Sequence, residues 1–296
     1  MSNEINGTIV SKGLYSSFCH VSNYDALFDA GEGCATLLGN SLANVTRIML
    51  GHSHSDHVLG LPSIIGCRDM GRQTSRNPKT REHNKPLDIF YPADNVGIVP
   101  LMGYISTQYS NLRYDLMWNP IEPGWKTKIG KDTYIEAFGM QHQKTKSTLG
   151  YVVYENRTRL NPKYAGQDIA ALKRSGVPEN ELKDTYRANI FAYCLDSYKI
   201  DDPSKITNCE KVVMDCTFLN KRDRTSMTHF TLDEAIDVCS SVGVKIMIAA
   251  HLSPRYFNFP HDHPVGPLWV TFVDPATPYT MLSITLPVNG KGLELI

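Results

Sequence analysis

The stretch MLGHSHSDHVLGLPS, residues 49–63, places three histidines and an aspartate within six positions. An apolar, strand-like run precedes the cluster, and a Gly-Leu-Pro helix start follows it. A lone histidine at a strand end is usually a surface or satisfied core residue. Four such groups would be costly to bury without partners, because they lose their hydration. His52, His54, Asp56 and His57 therefore predict a metal site.

Further candidate ligands also follow strand-like runs. Asp196 comes after IFAYCL and His251 after KIMIAA, as His52 comes after RIML. Side chains at the carboxyl ends of strands converge on one crevice in α/β proteins, so these residues are expected to meet. Imidazoles and carboxylates suit zinc, manganese or iron, and six or seven of them favour two ions over one. Two such ions would activate a shared water against a phosphodiester or a carbonyl.

Composition sets the broad class of the protein. Of the 296 residues, 42% are hydrophobic, and 30 basic residues balance 30 acidic ones. A neutral chain gives no general sign of a nucleic-acid binder. No stretch approaches the roughly 20 apolar residues that span a bilayer, so a cytoplasmic protein without membrane contact is expected. The seven cysteines form no C-x-x-C motif, which favours reduced, buried thiols.

The order of predicted elements favours an α/β protein with two sheets and helices outside, a sandwich in four layers. Many of its strand-like runs are apolar throughout, which is typical of strands covered on both faces. The length allows one large domain or two ordinary ones, and the lack of a clear linker favours a single domain over 1–296. A Pro-rich loop near 258–278 is expected over the pocket or in a dimer contact, and 68–85 is expected to form a mobile basic loop. Strand-like runs lie at 8–14, 25–31, 47–52, 87–92, 134–142, 149–155, 190–196, 211–218, 245–251 and 279–287, and helical windows lie after Gly33, from Asn95, at 166–176 and at 231–243.

From about residue 25 to residue 257, these motifs resemble a known family. HSHSDH resembles the H-x-H-x-D-H signature of the metallo-β-lactamase fold, and the surrounding sequence resembles the tRNase Z branch of that fold. AFGMQH, YCLDS and AAHLSPRY are similar to the later ligand motifs of that branch. MDCTF and THFTLDEA stand where the branch has His-Glu-Ala-Thr and His-Ser-Thr. The resemblance implies an α/β fold of the four-layer αββα type.

The resemblance also implies roles for individual residues. It implies that two sets of ligands, given at the end of this paragraph, each hold one divalent ion. Asp196 would bridge the two ions. Zinc is the default metal and manganese is the alternative. Asp56 would orient the attacking hydroxide, and His229, polarised by Asp215, would protonate the leaving group, although His229 could instead be a structural residue near a helix start. Ser253, Arg255 and Tyr256 would contact substrate, or else cap a helix, form a salt bridge and pack in the core. The first set is His52, His54 and His142, and the second is Asp56, His57 and His251.

Two departures from the tRNase Z pattern bear on the substrate. The stretch 11–25 lacks the Gly-Thr-Gly strand end and Arg-Asn loop, and 156–189 lacks a Gly-Pro motif and is predicted to be one short helix with a polar turn. The tRNA clasp is therefore expected to be missing, which favours a small phosphodiester. The same core without an arm resembles the anti-Pycsar proteins. The prediction is a homodimeric phosphodiesterase that hydrolyses 3′,5′-cyclic nucleotides to nucleoside monophosphates, with phage counter-defence in the host cytoplasm as the expected setting.

Three alternatives remain open. The first is a tRNase Z-like endoribonuclease that processes tRNA 3′ ends, with the basic loop 68–85 in place of the arm. The second is a carbonyl hydrolase such as a lactonase or thioesterase, which His229 and the SPRY motif disfavour. The third is a binding module without catalysis, which the full set of seven ligands disfavours.

Overall fold

A computed structural model describes residues 7–73, 85–143, 146–256, 262–265 and 268–273. The first of its two β-sheets has six strands, and their order in space follows their order in the chain. The strands are β1 (Gly7–Lys12), β2 (Ser16–Val21), β3 (Ala26–Phe28), β4 (Arg47–Met49), β5 (Leu87–Pro92) and β6 (Leu116–Ile121). β1, β2 and β3 pair antiparallel, and β3 to β6 pair parallel.

Among the described residues, the second sheet has nine strands in the order β11-β8-β9-β10-β12-β13-β15-β14, with β7 also paired to β8. The strands are β7 (Lys126–Lys128), β8 (Thr133–Gln143), β9 (Lys146–Leu160), β10 (Lys183–Cys194), β11 (Lys199–Ile200), β12 (Lys211–Asp215), β13 (Ile246–Ala250), β14 (Asp262–Val265) and β15 (Leu268–Phe272). β10, β12, β13 and β15 pair parallel, so their carboxyl ends meet at one edge.

Seven α-helices lie within the described residues, and several of them cover the outer faces of the sheets. They are α1 (Cys34–Leu38), α2 (Ser55–Val58), α3 (Leu61–Gln73), α4 (Val99–Gln108), α5 (Ile169–Arg174), α6 (Glu179–Leu182) and α7 (Leu232–Ser241). α7 begins as the sequence predicts, with Thr231 and Glu234 forming a capping box. No helix of the described part is long and apolar enough to cross a membrane.

Buried side chains fill three clusters, and these define the layers. The middle cluster joins the two sheets, where the ring of Phe28 lies 5.4 to 5.9 Å from the rings of Tyr151, Phe191 and Tyr193. A second cluster joins the outer face of the second sheet to α7, and a third joins the first sheet to α1, α3 and α4. The predicted α/β sandwich in four layers is confirmed.

Three local predictions differ from the structure. Helix α3 continues into the expected loop 68–85 as far as Gln73, and 74–84 lie outside the described residues. The segment 156–189 is a two-stranded extension of β9 and β10 that carries α5 and α6, rather than one short helix. Its strands alternate between exposed and half-buried residues, so no apolar run announces them. The expected Pro-rich loop contains β14 and β15, and the predicted strand 279–287 lies outside the described residues.

Candidate active site

The predicted ligands converge at the carboxyl ends of strands from both sheets. His52 follows β4, His142 lies near the end of β8, Asp196 follows β10 and His251 follows β13. The short helix α2 begins after His54 and carries the remaining two ligands. The structure therefore brings together the residues that the sequence predicts as ligands.

Two of the converging residues have left-handed backbone conformations. Asp196 has a φ of 54° and His251 a φ of 62°. Residues other than glycine adopt this region rarely, although Asp, Asn and His tolerate it best. Such conformations occur where the surrounding structure holds them, often at functional sites. Here they turn the chain sharply at the strand ends and bring both side chains into the crevice.

The first ligand cluster is His52, His54, His142 and Asp196, whose ligand atoms all lie within 4.8 Å of one another. Oδ2 of Asp196 is 3.6 Å from Nε2 of His52 and 3.8 Å from Nε2 of His142. Nδ1 of His54 lies 3.3 Å from Nε2 of His142. Three nitrogens and one carboxylate oxygen thus face a common point.

The second cluster is Asp56, His57, His251 and Asp196, which meet the same distance limit of 4.8 Å. Oδ1 of Asp196 is 3.2 Å from Nε2 of both His57 and His251. Oδ2 of Asp56 lies 3.3 Å from Nε2 of His251. Asp196 therefore presents one oxygen to each cluster, which is the geometry that a bridging carboxylate needs.

The chemistry of these side chains fits a divalent cation. Within the described residues, both ring nitrogens of His52, Nε2 of His57 and Oδ1 of Asp196 are buried without a hydrogen-bond partner. Buried polar atoms left unsatisfied cost about 1–3 kcal/mol each, so a ligand for them is expected. Imidazole nitrogens and carboxylate oxygens are the donors that zinc takes. The clusters are a site for divalent metal.

The electrostatics favour binding-competent protonation states for three of the candidate ligands, His52, His54 and Asp196. Burial, together with the neighbouring His57, holds the pKa of His52 well below its usual range, which favours the neutral imidazole. Burial also lowers the pKa of His54. Burial alone would raise the pKa of Asp196, but His251 and His57 hold it well below its usual range, so it is a carboxylate.

Outer hydrogen bonds set which nitrogen of each ring faces the clusters. Nδ1 of His57 donates to Oδ2 of Asp29 at 2.6 Å, and Nδ1 of His142 donates to the carbonyl of Thr228 at 2.8 Å. In both rings Nε2 is then left to face the ligand cluster. Such outer acceptors fix the tautomer and raise the basicity of a metal-binding histidine.

Asp29 is a functional residue that the sequence analysis missed. It is buried, and besides His57 it accepts hydrogen bonds from the Tyr193 hydroxyl at 2.9 Å and the Gly51 amide at 2.7 Å. The available signal was an aspartate directly after the apolar run ALF, at a strand end like the ligands themselves.

A second network joins the proposed acid to a ligand. Oδ2 of Asp215 accepts from Nδ1 of His229 at 2.7 Å, and Oδ1 accepts from the Thr217 hydroxyl at 2.8 Å. That hydroxyl in turn accepts from Nδ1 of His251 at 2.9 Å. Burial alone would lower the pKa of His229, but the Asp215 carboxylate raises it to about 9. The shorter aspartate in the position of the family's glutamate thus still reaches His229.

His229 lies against both ligand clusters. Its ring is 4.7 Å from the ring of His142, in the first cluster, and it stacks at 5.2 Å on the ring of His251, in the second. Arg224 donates to the His229 carbonyl at 3.1 Å and to both carboxylate oxygens of Glu234, at 2.6 and 3.0 Å. The loop that carries His229 is thereby held to the first turn of α7.

The three residues predicted to contact substrate make contacts within the protein, several of them with Asp223. Nε of Arg255 donates to the Ser253 hydroxyl at 3.1 Å, and its Nη1 donates to the Asp223 carbonyl at 3.2 Å. The Tyr256 hydroxyl donates to Oδ2 of Asp223 at 2.6 Å, and its ring packs against the second core cluster. Their role in substrate binding stays a prediction.

Comparison with known proteins gives homologues of one kind. No family model matches the chain. A Ribonuclease Z from Nocardia farcinica is 27% identical over 252 residues, which cover 78% of this chain and 78% of that protein. Further relatives that are 25% to 28% identical bear the same name. Together with the ligand clusters, these homologues indicate a metal-dependent hydrolase.

Solved structures agree with this relationship in fold. The short form of human tRNase Z matches with a TM-score of 0.63 and 16% identity over 94% of this chain and 98% of that one. The metallo-β-lactamase fold protein YhfI from Bacillus subtilis matches with a TM-score of 0.54 and 16% identity, over 86% and 88% of the two chains. The chain has the metallo-β-lactamase fold, as the resemblance implies.

The prediction of a cyclic-nucleotide phosphodiesterase is wrong. The homologues found over 78% of the chain are named Ribonuclease Z, which favours the alternative of a tRNase Z-like enzyme. The prediction depended on a missing clasp, inferred because 156–189 has no Gly-Pro motif. In the structure that segment is a strand pair that carries two helices.

Proposed function

We propose that this chain is an endoribonuclease of the ribonuclease Z type, which hydrolyses a phosphodiester at the 3′ end of tRNA precursors. The observation that carries the proposal is the homology to Ribonuclease Z over 78% of the chain. The two ligand clusters and the adjacent pair of His229 and Asp215 supply the groups that such a hydrolysis needs.

The proposed centre binds two divalent ions, with zinc as the default and manganese as the alternative. His52, His54 and His142 would hold the first ion, and Asp196 would be shared with the second. The separate oxygens that Asp196 offers to each cluster favour two ions over one. Asp56, His57 and His251 would hold the second ion.

Different residues of the chain have different roles in the reaction. Two divalent ions held there would supply Lewis acidity toward the phosphodiester and the attacking water. Asp56, at the rim of the second cluster, accepts a hydrogen bond from that water and orients it toward phosphorus. The water oxygen forms the new bond to phosphorus and gives up a proton to the Asp56 carboxylate. The bond from phosphorus to the leaving oxygen breaks, and that oxygen takes a proton from Nε2 of His229. Asp215 holds Nδ1 of His229 and so keeps Nε2 directed at the reacting atoms.

The turn between β1 and β2 offers a contact for RNA beside this centre. A Cβ added at Gly13 would lie 3.0 Å from the His251 carbonyl, so the turn touches the metal-site loop. Leu14 is 81% exposed and Tyr15 is 60% exposed, with Nζ of Lys12 lying 4.8 Å from the Tyr15 ring centroid. An exposed aromatic ring with a cation beside it suits an unpaired base and its phosphate.

Cleavage assays test the proposal. Zinc-loaded protein is incubated with a tRNA precursor carrying a 3′ trailer, with the mature tRNA and with cyclic mononucleotides. We expect cleavage of the precursor alone, complete loss of turnover in Asp56→Ala, and unchanged turnover in Asp237→Ala, which alters an exposed residue of α7. A protein that cleaves cyclic nucleotides and leaves the precursor intact would overturn the proposal.

The predicted homodimer stays a prediction that follows from the resemblance. Sedimentation equilibrium of the zinc-loaded protein tests it directly. A mass of twice 33.2 kDa is expected, and a monomer at all concentrations would contradict it.

A further inference from the structure

The side chain of Gln143 contacts the outer edge of His54. Successive side chains of a strand point to opposite faces, so His142 and Gln143 would ordinarily be on different sides of β8. The pairing of β8 with β9 shifts register between Met140 and Gln143, and this irregularity lets both neighbours reach His54. His142 meets Nδ1 of His54, and the Gln143 carboxamide meets its Nε2.

The two nitrogens of His54 therefore have different environments. Nδ1 faces the first ligand cluster, 3.3 Å from Nε2 of His142. A neutral imidazole carries one N–H and one lone pair, so Nδ1 can hold a cation only when Nε2 carries the proton. That proton then needs an acceptor, and the Gln143 carboxamide, whose nitrogen lies against Nε2 of His54, offers its oxygen there after a half-turn.

A carboxamide can serve either tautomer. Its oxygen accepts from an N–H, its NH₂ group donates to a lone pair, and a half-turn of the amide exchanges the two. With the NH₂ group against Nε2, the proton of His54 would be on Nδ1 and would block the ligand atom. With the oxygen there, Nδ1 is free to bind.

We propose that Gln143 is a positioning residue of the metal centre, whose carboxamide oxygen accepts the Nε2 proton of His54 and so keeps Nδ1 as the ligand atom. The inference depends on the metal-dependent function proposed above. Asp29 and the Thr228 carbonyl likewise accept the Nδ1 protons of His57 and His142, which leaves Nε2 of each ring as the ligand atom. Unlike those two acceptors, the amide can rotate, so metal binding selects one of its two orientations.

The test compares zinc affinity in variants of two glutamines on the same strand. Gln143→Leu removes the acceptor at nearly constant size, and Gln143→Glu restores an acceptor oxygen. Gln141→Leu is the control, because Gln141 bonds Asp201 at 2.7 Å and Tyr198 at 3.1 Å, away from the clusters. Competition with a chromogenic chelator gives the dissociation constants, and atomic emission gives the zinc content of each chain.

We expect Gln143→Leu to weaken the binding of one zinc ion by about 10- to 100-fold. Gln143→Glu and Gln141→Leu should keep wild-type affinity or better. Long-range proton–nitrogen NMR spectra of the zinc-loaded wild type should show the His54 proton on Nε2. Wild-type affinity in Gln143→Leu, or equal losses in Gln143→Leu and Gln143→Glu, would overturn the inference.

The outcomes separate this inference from the proposed function. Zinc binding is measured without RNA, so an inactive wild type that still binds zinc leaves the Gln143 comparison intact. A wild type that binds no zinc would overturn both proposals. Thermal unfolding of the metal-free variants identifies a variant that is misfolded. If Gln143→Leu is misfolded, the NMR spectrum of the wild type tests the inference, because it shows whether the His54 proton is on Nε2 or on Nδ1.

Discussion

Replacing Asp29 with asparagine should weaken metal binding without any change to a ligand. The carboxylate accepts three hydrogen bonds, from His57, Tyr193 and Gly51. In asparagine one oxygen becomes an NH₂ group, so in either orientation at least one buried donor faces another donor. An unsatisfied buried group costs about 1–3 kcal/mol. At about 2–4 °C per kcal/mol for a chain of this size, the melting temperature should fall by roughly 2–12 °C.

The effect on metal affinity follows from the tautomer of His57. Without a full carboxylate against Nδ1, its proton is free to move to Nε2, the atom that faces the second cluster. Losing such an outer acceptor typically costs 10- to 100-fold in affinity, or about 1.4–2.8 kcal/mol. Chelator competition measures this loss, and calorimetry of the metal-free protein measures stability.

Asp25→Asn is the matched control for this experiment. Asp25 also has a left-handed backbone, with a φ of 50°, but its side chain is 40% exposed and lies near Lys85 instead of the site. We expect its melting temperature and zinc affinity to match those of the wild type. If Asp29→Asn also kept wild-type zinc affinity, the argument that Asp29 sets the tautomer of His57 would be refuted.

Three further predictions concern stability in acid, a residue just past the end of α7, and stabilisation by bound metal. Burial alone would raise the pKa of Glu136, but hydrogen bonds from Lys205 and Arg187 lower it. The stability that these hydrogen bonds contribute is present above the unfolded pKa of about 4.3 and is lost as the pH falls through the folded pKa. Glu136→Gln should therefore flatten the decline of the urea midpoint between about pH 5 and pH 3. Gly243→Ala should cost about 1–2 kcal/mol in urea unfolding, because the residue has a φ of 71° and its Cβ would lie 2.6 Å from a carboxamide oxygen. Gly103→Ala, with nothing within 4 Å of the added Cβ in α4, should instead gain up to about 1 kcal/mol. Zinc at about 100 times its dissociation constant should stabilise the metal-free protein by about 2.7 kcal/mol, seen as a higher melting temperature, and a chelator should reverse it.

The fold class could be predicted from the sequence, and the residues predicted as ligands lie together in the structure. Parallel strands such as IMIAA are apolar throughout, and this pattern depends only on the residues themselves. The candidate metal loop could be found in the sequence because four of the predicted ligands lie in one short stretch. β2 was missed because SSFCHV begins with two serines, although five of its six residues are buried.

The outer hydrogen bonds could not be predicted in the same way. The acceptor for His142 is a backbone carbonyl, that of Thr228, and a carbonyl has no signature in the sequence. Thr217 links His251 to Asp215 only because β12 and β13 run side by side. The contact of Gln143 with His54 requires an irregular register in β8, which residue patterns do not reveal. These contacts arise from the packing of distant segments.

The core between the sheets and the metal centre share one continuous set of contacts. The ring of Phe28 stacks on the ring of Tyr193 at 5.5 Å, across the two sheets. The Tyr193 hydroxyl then donates to Asp29, which directly follows Phe28 and holds His57 in its binding tautomer. Because metal binding is coupled to folding where ligands come from separate elements, packing of the two sheets contributes to metal affinity. The ligand geometry therefore depends on how closely the sheets approach each other, as well as on the loop that contributes His57.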